Sequence, residues 1–332
     1  MYNRIPLLDG PTPLESLPRI SRERSNNFYI KRDDKAGPEP GGNKARKLEF
    51  ILGEIKKQGY NHVVTCGSVF SNHCRLTAMA ANLHDLGCTL VLNRAGDDSS
   101  SEVESRGNFF LYQLQDVDIK LIDRPEREKE MQSQLEKLRS EGKKPYLIEA
   151  GGNEPAGVHG YVEAAAEIKK QCQLSKSVFD FIFLATGTGT TQAGLIIGNH
   201  ISRCAESVIG ISVEADKGEG RKTIAEAVDE YCGLHDLPSQ RIKDDIYFVD
   251  DYVGEGYGLI EKPVVSTLEY AARKESLLLD PVYTAKAFRG MLEFLEEKAI
   301  KNRNVLFLHS GGLPILFSRS DLIEKYMTGE TR

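Results

Sequence analysis

Lys44 lies in Gly41-Gly42-Asn43-Lys44-Ala45-Arg46-Lys47-Leu48-Glu49-Phe50, where a glycine turn runs into an amphipathic helix. Leu48, Phe50, Ile51, Leu52 and Ile55 give that helix its apolar face, and the glycine pair marks its start. A lysine in the first turn meets the positive end of the helix dipole, which disfavours the ammonium form, and any burial pushes the same way. A neutral amine is what a Schiff base with an aldehyde cofactor requires. Taken alone, however, the segment favours a solvated lysine on a charged helix face beside Arg46 and Lys47.

A second stretch, Ala185-Thr186-Gly187-Thr188-Gly189-Thr190-Thr191-Gln192-Ala193-Gly194, joins an apolar strand to a helix. Small residues there let backbone N–H groups converge on an anion, and the helix start adds a favourable field. Four threonine hydroxyls add donors, so an anion site is preferred to an ordinary strand-to-helix turn. A dinucleotide fingerprint would place its third glycine where Gln192 stands, and Glu214 lies further on than the spacing of about 20 residues for a ribose-binding acid. No G-K-[ST] follows, so this is not a P-loop. The cup suits a terminal phosphate monoester.

Three further segments carry polar groups at loop ends. In Cys66-Gly67-Ser68-Val69-Phe70-Ser71-Asn72-His73, Ser71 or Asn72 is a natural helix cap, and free N–H groups at the same helix start could grip a carboxylate. Tyr257 sits between two glycines, which leaves it little local packing and suits presentation to a ligand. Tyr283, after Asp280-Pro281-Val282, reads equally as packing or site. Ser310, in His309-Ser310-Gly311-Gly312, follows a strand and could face a ligand ring or cap a helix.

The elements that must position these groups alternate along the chain. Phe28–Lys31, His62–Cys66, Thr89–Asn93, Asp118–Leu121, Tyr146–Glu149, Phe179–Ala185, Val208–Val213, Ile246–Val249 and Val305–Leu308 read as strands. Between them Ala45–Gln58, Asn72–Leu86, Glu102–Leu114, Glu126–Glu141, Val162–Gln171, Thr191–Ile201 and Tyr283–Lys298 read as helices. This alternation predicts an α/β fold of mostly parallel sheets covered on both faces, with ligands beyond the carboxyl ends of the strands. Asp97–Ser101 and Asp216–Gly220 read as polar, exposed connections.

With 332 residues, 40% of them hydrophobic, the chain can bury a large core and two lobes. A net charge of -6 and the lack of a basic cluster exclude a nucleic-acid partner. Apolar runs are strand-sized, which excludes a membrane span, and Met1–Gly10 holds no secretory core. Six cysteines without paired spacing read as free thiols of a reducing cytoplasm. No HExxH or CxxC supports a metal site, and adjacent His73-Cys74 have poor ligand geometry.

Taken together, these segments resemble the fold-type II pyridoxal-phosphate enzymes, in the branch of the D-cysteine desulfhydrases and 1-aminocyclopropane-1-carboxylate deaminases. The likeness covers nearly the whole chain, through Pro11–Glu15, Ile30–Asp34, Gly41–Phe50, Ser71–His73, Gly160–Glu163, Thr186–Leu195, Gly256–Gly258, Leu279–Thr284 and His309–Gly312. It implies a two-lobed, tryptophan synthase β-like fold, with residues 1–51 and 161–332 as the large domain and 52–160 as an inserted small one. It also implies pyridoxal 5'-phosphate as cofactor, a small amino acid as substrate and a homodimer.

On this resemblance Lys44 forms the Schiff base, Asn43 contacts the ring hydroxyl, and Ser310 faces the pyridine nitrogen. Thr186, Gly187, Thr188, Gly189, Thr190 and Thr191 hold the phosphate. Ser71, Asn72 and His73 bind the substrate carboxylate and line the attack face, bordered by Phe70 and Asn153, while Tyr257 and Tyr283 position or protonate the reacting side chain. The implied chemistry is β-elimination, which takes D-cysteine to pyruvate, sulfide and ammonia. Thr284 stands where the deaminases carry glutamate and His73 where they carry glutamine, which favours the desulfhydrases. Ser68-Val69-Phe70 and Asn153-Glu154-Pro155 depart from both patterns, so a deaminase-like or cysteate sulfo-lyase-like activity stays open. An NAD-dependent oxidoreductase is the distant alternative.

Overall fold

The computed structural model describes residues 2–94, 106–175 and 178–330. Ten strands form two sheets among them: β1 (Leu14–Ser16), β2 (Asn27–Lys31), β3 (His62–Ser68), β4 (Gly87–Asn93), β5 (Asp118–Ile122), β6 (Pro145–Ile148), β7 (Phe179–Thr186), β8 (Ala205–Ser212), β9 (Tyr247–Val249) and β10 (Asn304–Leu308). The larger sheet has the order β1-β2-β10-β7-β8-β9, and the smaller one β5-β4-β3-β6. Only the β1–β2 pair is antiparallel. The expected α/β architecture is therefore present, and the period-2 geometry of strands explains how both faces are buried. On β10, Val305 and Phe307 enter one core with Phe28, Ile30, Phe183 and Phe288, while Leu306 and Leu308 enter another with Ile182, Leu184 and Tyr161. The smaller sheet splits likewise, Val63 and Leu90 on one face and Val64 and Val91 on the other.

Several boundaries differ from the sequence expectation. Asp216–Gly220 is exposed up to Glu219, but it opens the helix Lys217–His235, with the Asp216 carboxylate accepting from Gly218 and Glu219 N–H. Two glycines in its first turn hid that start. The helix expected at Val162–Gln171 runs from Pro155 to Ser175. Gly160 belongs to it because a Cβ there would fall 2.4 Å from the Arg46 carbonyl oxygen, on the helix that carries Lys44. Helices at Pro18–Glu23, Lys262–Glu275 and Ser320–Thr328 were not anticipated. The Asp97–Ser101 connection and the start of the Glu102–Leu114 helix lie outside the described residues, which resume with a helix at Gly107–Gln113. All six cysteines are buried, and none forms a disulfide. No helix among the described residues is long and apolar enough to cross a membrane, and no cluster there could hold a metal ion.

Candidate active site

The loops after β3, β7 and β10 meet the start of the helix Asn43–Lys57 around a cavity of about 810 Å³. That size suits a cofactor with a small substrate. Bare backbone makes the meeting possible. Gly42 and Gly311 form an isolated antiparallel bridge, and Asn43 N–H donates to Ser310 O at 3.0 Å. A Cβ on Gly311, whose φ is +97°, would fall 2.9 Å from both Gly41 O and Gly42 Cα. Lys44, the second residue of its helix, is thereby set deep against the loop that carries Ser310.

The charged face predicted around Lys44 is not solvated: Arg46 is 5% and Lys47 1% exposed. Arg46 points away from the cavity and is neutralised. Its guanidinium donates to both oxygens of Asp33 at 2.9 Å and to both of Glu167 at 2.8 and 3.0 Å. Thr12, Tyr161 and Lys31 complete that cluster, with Tyr161 OH donating to Asp33 Oδ2 at 2.7 Å. Lys47 has no such partner. Its Nζ donates to the Gly151 carbonyl at 3.0 Å and lies within hydrogen-bond reach of the Lys44 amine, with no carboxylate beside it among the described residues. Desolvation, and then the nearby Lys44 amine, hold the Lys47 ammonium well below the usual lysine range. Desolvation likewise lowers Lys44 from 10.5 to about 8.

The helix Thr190–Ser202 opens behind Gly189 in the left-handed region, φ 78°, so the loop after β7 points N–H groups into the cavity. Thr186, Gly187, Thr188, Gly189 and Thr191 line it. Thr190 is fully buried, and its hydroxyl donates to Asn153 Oδ1 at 2.8 Å. Asn43 Nδ2 reaches Thr191 Oγ1 at 3.1 Å, tying the cup to the lysine helix. Gly151, whose carbonyl holds Lys47, abuts Thr188 so closely that a Cβ there would be 2.7 Å from Thr188 Oγ1. A glycine-threonine cup beside a buried cation that no carboxylate balances fits a phosphate monoester on an aldehyde-bearing ring. A dinucleotide fits less well, because the Gln192 amide fills the groove between helix and strand that a third glycine would open. It accepts from Thr186 Oγ1 and donates to Tyr247 O, and a Cβ on Gly210 of β8 would fall 1.8 Å from it.

Across the cavity, Ser71 caps the helix Asn72–Leu83, its hydroxyl accepting from Cys74 N–H at 3.1 Å. Asn72 Oδ1 accepts from Asn108 Nδ2 at 2.9 Å, which leaves the Asn72 amide nitrogen as a donor on the cavity wall. His73, Phe70 and Ser310 also line the cavity. The Arg319 guanidinium stacks 4.4 Å over the Phe70 ring. Tyr257 and Tyr283 touch hydroxyl to hydroxyl, with ring centroids 6.0 Å apart. Burial raises both phenols, so both keep their protons and either can donate across the contact.

Two expected neighbours fall elsewhere. Asn153 is turned onto Thr190, and Glu154 accepts from Tyr146 OH at 2.5 Å, burial raising its carboxyl to about 7; neither lines the cavity. Thr284 is also engaged internally. Its hydroxyl accepts from Asp280 N–H and donates to Asp280 Oδ2, both at 2.7 Å. The buried Asp280 carboxylate accepts from Val282, Tyr283 and Thr284 N–H, capping the helix Thr284–Glu297 and fixing Tyr283. Sequence reasoning missed Arg319 on the cavity wall and Lys47 as the buried cation behind Lys44. A lysine three residues after Lys44, on the same helix face, was the available signal for Lys47.

Comparison with known proteins agrees with this geometry. Residues 5–311 match the family model described as pyridoxal-phosphate dependent enzyme. A Pyrococcus abyssi protein, provisionally named a 1-aminocyclopropane-1-carboxylate deaminase, is 37% identical over 95% of this chain and 93% of its own length. The D-cysteine desulfhydrase of Klebsiella pneumoniae is 32% identical over 96% of each chain. A solved 1-aminocyclopropane-1-carboxylate deaminase homologue superposes with a TM-score of 0.88 at 34% identity, over 98% of this chain and 96% of that one.

Proposed function

The chain belongs to the pyridoxal-phosphate-dependent enzyme family, and on that premise we propose that it is a lyase of the D-cysteine desulfhydrase type, eliminating a β-substituent from a small amino acid. The observation that carries the reading is Lys44: a buried amine lowered to about 8, between a phosphate-type cup and a phenol pair. Lys44 would carry the cofactor through its aldehyde; the Thr186–Thr191 loop would hold the phosphate, with Lys47 as the buried cation behind it, and Asn43 and Ser310 would contact the ring hydroxyl and the ring nitrogen. Residues 1–51 and 161–332 form the cofactor-binding lobe, with 52–160 inserted as the smaller one.

When bound, the cofactor supplies an electron sink for the substrate α-carbon. At pH 7.5 roughly a quarter of a lysine titrating near 8 is neutral, against about 0.1% of an ordinary one. Lys44 is thus the base that removes the α-proton. The Asn72 amide and the helix-start N–H groups hold the carboxylate. Tyr257, protonated by burial and paired with Tyr283 on the cavity wall, gives its proton to the departing β-substituent. The enamine product then hydrolyses to a 2-oxo acid and ammonia. Thr284 favours desulfhydrase over deaminase chemistry, since its hydroxyl is bound to Asp280 and no carboxylate is presented at that position.

The test is a product panel (pyruvate, 2-oxobutyrate, sulfide, sulfite and ammonia) over D- and L-amino acids, with absorption spectra of the protein and of Lys44→Ala. Pyruvate with sulfide is expected, and the visible cofactor band is lost in the variant. An unchanged band overturns the assignment of Lys44, and 2-oxobutyrate or sulfite as the main product moves the reading to the deaminase or sulfo-lyase alternative.

A further inference from the structure

His73 is 3% exposed yet lines the cavity. Its Nε2 lies 2.9 Å from Thr65 Oγ1, which in turn lies 2.8 Å from the carbonyl oxygen of Ile148. A carbonyl only accepts, so the one hydroxyl proton of Thr65 goes to Ile148. The Thr65 oxygen then offers His73 lone pairs alone, and Nε2 must carry the ring hydrogen. The other tautomer would set lone pair against lone pair across one of these two short contacts. Burial, followed by the cations of Lys44 and Lys47, keeps the ring from taking a second proton. Nδ1 is consequently a bare acceptor, and it is buried with no partner among the described residues.

A bare acceptor repels a carboxylate, so the expected part of His73 in gripping that group falls to its backbone N–H at the helix start and not to its ring. We propose that His73 Nδ1, its tautomer locked through Thr65 and Ile148, accepts a hydrogen bond from the bound amino acid and so helps select it. This rests on the lyase reading above. Two groups could supply the donor: the α-amino N–H, common to all substrates, or an S–H or O–H on the β-carbon. A sulfonate or a chlorine there offers no donor.

The substitutions His73→Gln and His73→Asn separate this role from a structural one. Glutamine places its amide near the Nε2 position, keeping a donor for Thr65 and nothing at Nδ1. Asparagine places its amide near Nδ1 and releases Thr65. The expected result is a kcat/KM about tenfold or more lower in His73→Gln, one hydrogen bond's worth, with much of it recovered in His73→Asn. If Asn is the more damaging change, or neither matters, the proposal fails. A loss in His73→Gln shared by cysteine, serine and β-chloroalanine assigns the donor to the amine; a loss confined to cysteine and serine assigns it to the β-substituent. Independently of turnover, the ¹⁵N spectrum of the histidine-labelled holoenzyme should show one ring, absent in His73→Gln, with hydrogen on Nε2 and a bare Nδ1. The opposite tautomer, or an imidazolium, overturns the inference. An inactive enzyme with this tautomer intact instead overturns the lyase reading.

Discussion

Replacing Lys44 with methionine should stabilise the cofactor-free protein while destroying its function. The amine is lowered from 10.5 to about 8, chiefly by desolvation. At 1.36 kcal/mol per pH unit the folded chain is therefore penalised by about 3 kcal/mol at pH 7. Water entering the open side of the cavity, which Lys44 lines, screens part of this and makes the figure an upper value. Between pH 8 and 10.5 the unfolded chain binds this proton and the folded chain does not, so the wild type gains stability as pH rises through that window. The penalty falls to about 2 kcal/mol at pH 9 and about 1 at pH 10. For a chain of 332 residues, with an unfolding entropy near 2.1 cal/mol/K per residue, about 3 kcal/mol moves the melting midpoint by roughly 4 °C. The assay is calorimetry of both cofactor-stripped proteins at pH 7, 9 and 10. Lys44→Met should melt higher at pH 7, by a margin that shrinks with pH. A margin that is negative, or constant across the three pH values, refutes the burial of a strained amine at Lys44. With cofactor added the order reverses, because only the wild type can form the Schiff base.

Arg46→Met leaves the fully buried Asp33 without its main partner and should cost about 3–5 kcal/mol, read as a lower urea midpoint. Lys47→Met should weaken cofactor retention by tenfold or more in a spectral titration of the stripped protein, while raising its melting point at neutral pH for the same reason as Lys44→Met. Tyr257→Phe and Tyr283→Phe should keep the cofactor band but lose about 10²- to 10⁴-fold in kcat, and full turnover in Tyr257→Phe would remove it as the proton donor.

What could be read from the sequence was local. The glycine turn into an apolar helix at Lys44, the glycine-threonine loop after β7 and the Ser71 cap each need only a few consecutive residues, and each stands where it was placed. The environment of those groups was not local. Arg46 and Lys47 looked like a wetted face because Asp33, Glu167 and Gly151 come from distant elements and only folding brings them near. Asn153 looked like a substrate neighbour for the converse reason, since its bond to Thr190 depends on how β6 and β7 are set in separate sheets. Glycines chosen for close packing, such as Gly160, lowered helical propensity and hid helix starts. The resemblance fared better than periodicity because it used the order of many weak motifs along the whole chain.

The charges on the lysine helix give the most direct physical reason to expect an anion in this cavity. Three cationic residues, Lys44, Arg46 and Lys47, lie on the first turns of the helix Asn43–Lys57, where the dipole already disfavours positive charge. The one that faces away from the cavity, Arg46, is balanced by two carboxylates that it shares with a second cation, Lys31. Lys44, which lines the cavity, and Lys47 behind it have no carboxylate partner among the described residues, and desolvation lowers the ammonium form of each. A fold able to place Asp33 and Glu167 beside Arg46 has the means to neutralise a buried cation. An imbalance on the cavity side alone is therefore a property of the site. A phosphate in the Thr186–Thr191 cup would supply the missing charge to Lys47, and Schiff-base formation would remove the amine of Lys44 from the balance, so that the loaded protein holds no uncompensated buried cation there.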